Sequence, residues 1–162
     1  MHRIAFSLVF VLAAALASSA SAQSGRGAAS PDPCALFTKS ELQQLTGHAD
    51  VMRTPNMPDQ LPSGGKVCTV DGGGGRGAQS LDIEIILSAR TPGARGTVPR
   101  GAEAVSGIGE LAYYQQSAGN GAAYGHKGAW ALRIGVQSGD TPQNLRTVAV
   151  ALLKAGIAKL PT

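Results

Sequence analysis

Aromatic side chains are scarce in this sequence. They make up 4% of its 162 residues, and beyond the first 22 positions only Phe37, Tyr113, Tyr114, Tyr124 and Trp130 occur. A core must therefore be built mostly from Leu, Ile, Val and Ala, and the stacking platform expected of a single-strand nucleic-acid binder is missing. Histidine is rarer still: after His2 there are only His48 and His126, and neither has a His or Cys at i+2 or i+4 to share a metal. A Ser-His-Asp set can be assembled on paper, but availability is not geometry. His48, just past a helix end, reads as a favourable C-terminal charge, and His126, beside a turn, reads as solvated. No C-x-x-C redox spacing is present. These absences leave no catalytic, cofactor or metal assignment.

Charge is sparse as well, at 15% of residues, with 14 Lys and Arg against 10 Asp and Glu. The start of the chain reads as an export signal. His2 and Arg3 form a positive n-region, Ile4 to Leu16 are almost wholly apolar, and Ala20-Ser21-Ala22 fits a cleavage site before Gln23. The apolar run falls short of the about 20 residues a helix needs to span a bilayer, and no cysteine directly follows the signal to carry a lipid. The expected location is the periplasm or the exterior. Residues 1–22 would be removed, 23–33 form a Ser-, Gly-, Ala- and Pro-rich flexible leader, and 34–162 make a single domain whose charge of +3 is only a mild basic bias.

The domain opens with its clearest local signal. Thr38 and Glu41 make a capping box, Phe37 and Leu42 occupy the positions of a hydrophobic staple, and Gly47 can end the helix in the left-handed region. Two cysteines, Cys34 and Cys68, in an exported chain favour a disulfide over a reactive pair or a metal site. From Asp50 to Gly65 three prolines and two glycines predict a long loop.

Lys66 to Val70 is a short strand candidate, and Leu81 to Leu87 alternates with Leu81, Ile83, Ile85 and Leu87 facing a core. Asp82 and Glu84 share the outer face, where a solvated surface is favoured over a metal or acid–base pair. Ser88 to Gly101 is a second loop, and its Arg90, Arg95 and Arg100 are candidate binding residues for an anionic envelope lipid, a glycan or a protein, with a solubilising loop as the plain alternative. Nucleic acid is excluded as a partner by the small net charge and few aromatics.

Gly72, Gly74 and Gly77 satisfy G-x-G-x-x-G, and Gly107, Gly109 and Ala112 its Ala-ended variant. Both run into strands rather than opening a helix, so neither is a dinucleotide site, and G-K-[ST] follows neither. The second half reads as a meander: Glu110 to Gln116, Ala122 to His126, a tight turn at Lys127-Gly128, then Ala129 to Gln137 with Trp130, Leu132, Ile134 and Val136 on one face. Asp140-Thr141-Pro142 starts a last helix, in which Leu145, Val148, Ala149, Leu152, Gly156 and Leu160 form a stripe widened by Val150, Leu153 and Ile157. The expected fold is α+β, an antiparallel sheet of about five strands packed against an N-terminal and a C-terminal helix.

The pattern Asp32-Pro33-Cys34-Ala35-Leu36-Phe37-Thr38, Glu41-Leu42, Gly47, Cys68, Gly107 to Tyr113 and the closing helix resembles a family of small exported bacterial proteins and lipoproteins of unknown function. The resemblance implies no reaction and no catalytic residues. The functional expectation is a non-catalytic binding or interaction module for an envelope component or protein, with a small hydrolase using His126 or His48 as the alternative.

Overall fold

The computed structural model describes residues 31–54, 61, 65–72, 80–90, 96–139 and 142–162. The expected export signal, Arg95 and most of the Asp50 to Gly65 loop lie outside them. After a 3-10 turn at Pro33–Ala35 come α1 (Lys39–Thr46), β1 (Met52–Arg53), β2 (Lys66–Gly72), β3 (Leu81–Ala89), β4 (Glu103–Ala104), β5 (Leu111–Ser117), β6 (Asn120–Lys127), β7 (Trp130–Ser138) and α2 (Pro142–Lys159). The architecture is α+β, with one antiparallel sheet in the order β1-β2-β3-β7-β6-β5-β4.

The five long strands are those the alternation predicts. Two further strands, β1 and β4, extend the sheet to seven. Each has two residues, too short for any period to register; each pairs with its neighbour, Met52 with Asp71 and Glu103 with Tyr114, and side chains add to the hold, Arg146 of α2 donating to Glu103 and Arg53 to the Phe37 carbonyl. The turn between β6 and β7 falls at Gly128-Ala129, one residue later than expected, because Lys127 still pairs with Trp130. Asp32 and Pro33, at the end of the expected leader, take part in the 3-10 turn, where the Asp32 side chain accepts from the Cys34 N–H at 2.9 Å.

One face of the sheet is covered. Leu81, Ile83, Ile85 and Leu87 of β3 and Leu132, Ile134 and Val136 of β7 are buried there, as the period of two requires. Burial of each such side chain is worth roughly 1.5–3 kcal/mol. Over the β6–β7 half lies α2, whose Leu145, Ala149, Leu152, Leu153 and Ile157 are buried. It sits close because β6 places the small Ala123 and Gly125 on this face, while Gly121 makes room for the Tyr114 side chain. A Cβ on Gly125 would lie 3.1 Å from both Leu153 and Ile157, and one on Gly156 would come within 2.6 Å of Leu132. Among the described residues no helix is long and apolar enough to cross a membrane.

The β2–β3 half is covered by the N-terminal segment. Both parts of the capping box form: Thr38 Oγ1 accepts from the Glu41 N–H at 3.2 Å, and Glu41 accepts from the Thr38 N–H at 2.8 Å. Phe37 and Leu42 are buried, and Gly47 closes the helix at φ 76°. Lys159, in the last turn of α2, donates to Glu41 at 2.6 Å and to the Leu36 carbonyl at 2.7 Å, and its ammonium lies 5.3 Å from the centre of the Phe37 ring. The Lys159 hydrogen bond, followed by those from Thr38, holds the Glu41 carboxyl down at about 2. Cys34 and Cys68 stand at disulfide distance, with Cα atoms 5.2 Å apart, tying the turn to β2. In the chain-entropy account, closing a loop of that size contributes roughly 4 kcal/mol.

Candidate functional site

Among the described residues no helix covers the other face of the sheet. Strand period puts the residues between the core positions there: Asp82, Glu84 and Ile86 from β3, Ala131, Arg133, Gly135 and Gln137 from β7, and Ala122 and Tyr124 from β6. The register arranges them in rows across the strands. In one row Tyr113 opposes Tyr124, Tyr124 opposes Arg133, and Arg133 opposes Ile86. In the next, Thr69, Glu84, Gly135, Ala122 and Gln115 follow one another across five strands. Beyond them lie Asp82, Gln137, Asn120 and Ser117.

The first row is a continuous ladder. The Tyr113 and Tyr124 rings stack with centroids 4.7 Å apart and planes 14° from parallel. The Arg133 guanidinium lies 5.8 Å from the other ring's centre, at Tyr124, and donates from Nε to the Tyr124 hydroxyl at 3.2 Å. Its Nη1 donates to Glu84. Burial works against the Arg133 charge, but the bonds with Tyr124 and Glu84 outweigh it and raise its pKa above the ordinary guanidinium value. The middle row is lowest at Gly135 and Ala122: Ala122 has only a methyl, and Gly135 has no side chain, with the Arg133 guanidinium reaching over it to 3.5 Å from where a Cβ would stand. The result is a concavity of about 620 Å³ with Gly135 and Ala122 in its floor, the ladder on one side and Asp82, Gln137, Asn120 and Ser117 on the other.

The residues singled out by sequence fall elsewhere or change meaning. Arg90 turns inward: its side chain is 14% exposed and donates to Glu110 at 2.9 Å and to the Gly128 carbonyl at 3.3 Å, pinning the end of β3 to the β6–β7 turn. Arg95 lies outside the described residues, and Arg100 is exposed in the turn before β4. Glu84 is the partner of Arg133 rather than half of a pair with Asp82, which is exposed. His48 follows the end of α1, where its N–H donates to Thr46 Oγ1 at 3.2 Å.

His126 is not solvated, contrary to expectation. It is partly buried on the far side of the ladder from the concavity, Gly96 lies against its ring, and its Nδ1 has no hydrogen-bond partner among the described residues. Burial, and then the nearby Arg90 charge, lower its pKa, opposed by Glu110. Among the described residues no three His, Cys, Asp or Glu side chains group so as to hold a metal ion. Gly107 and Gly109, with φ of 76° and 58°, turn the chain into β5 and open no helix. Sequence reasoning missed the ladder: the alternation of β7 already placed Arg133 on the polar face, but its neighbours are set by pairing.

The fold and this face define an α+β domain with one helical layer and an open, polar sheet surface. Comparison with protein-family models, curated proteins and solved structures returned no match.

Proposed function

We propose that this protein is an exported, non-catalytic binding module whose ligand lies on the open face of the sheet, in the concavity floored by Gly135 and Ala122. The observation that carries this reading is the pairing of a rigid ladder with a low, polar trough. Tyr113, Tyr124, Arg133 and Glu84 hold one another in place, so the groups they present are preorganised, and among the described residues no helix covers them. Export, and kinship with the small exported bacterial proteins the sequence resembles, belong to the same proposal. Its support is the signal-like start of the chain and the cysteine pair at disulfide distance.

The competing hydrolase reading has less to rest on, because His126 is separated from the trough by the ladder and His48 lies beyond α1. Carboxyl footprinting tests the binding module: label the protein with a carbodiimide alone and with a bacterial envelope fraction, and compare Asp82 with Glu103. Protection of Asp82 alone, lost in Gly135→Trp, is the expected result. Equal labelling of both residues with and without the fraction removes the open face as the site.

A further inference from the structure

Resting on the open-face reading, we infer that the ligand of this trough is an uncharged, hydroxyl-rich glycan chain. The first argument is charge. Among the described residues that line the trough, Asp82 and Glu84 contribute two carboxylates against the guanidinium of Arg133, which already donates to Glu84, so this lining is acidic in a chain of net charge +4. A polyanion would meet repulsion there.

The second argument is the inventory of donors and acceptors. Gln115, Asn120 and Gln137 each offer an amide N–H₂ and a carbonyl, Ser117 and Tyr124 offer hydroxyls, Arg133 only donates, and Asp82 only accepts. A cationic ligand would satisfy the carboxylates and leave the amide and guanidinium N–H groups unmatched. An anionic one would do the reverse. Hydroxyls, which donate and accept, satisfy both.

Shape gives the third argument. The lining of the concavity runs from Thr69 on β2 to Gln115 on β5, across five strands, a length of about 19 Å at the usual strand spacing. That suits a linear chain of several rings rather than a single small molecule. The trough gains no aromatic face for base stacking, because the Tyr124 ring has Tyr113 and Arg133 against it and Tyr113 is not in the lining. What the ladder offers the trough is its polar edge.

The test is titration of the isotope-labelled full chain, followed by amide NMR, with three uncharged hexasaccharides (hexa-N-acetylchitohexaose, cellohexaose and maltohexaose), with hexalysine and with polyphosphate. At least one hexasaccharide is expected to shift Gln115, Asn120, Arg133 and Gln137, and polyphosphate is not. Gly135→Gln should weaken that binding by roughly tenfold or more. Because a glycine replacement in a strand could disturb folding, the exposed double variant Asn120→Ala/Gln137→Ala serves as the second test, with the same loss expected. Perturbation of the face by hexalysine and by none of the saccharides overturns the glycan assignment while leaving the open face as the site. Silence of the face toward every probe overturns the assignment too, and footprinting with the envelope fraction then decides whether the site itself stands.

Discussion

The two faces of the sheet are built from opposite materials. On the covered face Ile83, Ile85, Leu87, Leu132 and Ile134 are almost fully excluded from solvent, and space is so tight that Gly125 and Gly156 are required where α2 and the strands meet. The open face carries one stacked, hydrogen-bonded ladder and, beside it, a row kept low by Gly135 and Ala122. Burial is concentrated on the first face, and the second is the one proposed above to bind a ligand. Substitutions on one should be separable from substitutions on the other.

The strongest break in that comparison targets neither face directly but the staple beside them. Replacing Cys34 and Cys68 together by Ser should cost about 4 kcal/mol, read as a lower urea midpoint, because the unfolded chain regains the freedom of the loop between them. A variant that unfolds at the original midpoint would show that the packing around β2 alone fixes this corner. Next in size is a matched pair on β7. Ile134→Ala, at the centre of the covered face, should cost about 2–5 kcal/mol, whereas Gln137→Ala, on the open face, should stay within about 0.5 kcal/mol. Similar losses for both would mean that the open face also supports the fold.

The smallest effect is a dependence on pH. His126 has a folded pKa below its ordinary value because it is buried, so the unfolded chain takes up its proton first. Stability should therefore fall as pH drops through about 6.5, and His126→Gln should flatten that slope in urea midpoints recorded between pH 7.5 and 5.5. A slope unchanged by the substitution would assign it to another group. Glu41 acts in a separate window: held down at about 2 by Lys159 and Thr38, it contributes above its ordinary 4.5, and that contribution is lost as pH falls from there toward 2.

Much of the covered face is legible in the sequence. Thr38, Glu41 and Gly47 write the first helix because caps are local, and the alternation through Leu81 to Leu87 and Trp130 to Val136 marks the buried side because the period of a strand is local too. The open face is not legible in the same way. Tyr113, Tyr124, Arg133 and Glu84 come from four strands, and their contact depends on β7 lying between β3 and β6, which no short-range pattern encodes. Arg90 shows the same limit: an arginine beginning a Gly- and Pro-rich loop reads as exposed, and only the approach of Glu110 and Gly128 turns it inward.

The central place of β7 also sets an order of assembly. The last strand made pairs Ala89 with Trp130 and Leu81 with Ser138, and it joins a sheet whose two halves otherwise have no common edge. Until β7 emerges, the β2–β3 hairpin and the β5–β6 hairpin are separate pieces with unpaired flanks, so closure waits on contacts distant in sequence and should be slow. The cysteine pair lies wholly on the early side of that seam. Oxidation can therefore fasten the N-terminal turn to β2 while the rest of the sheet is still open, leaving β7 to close the sheet as the final step.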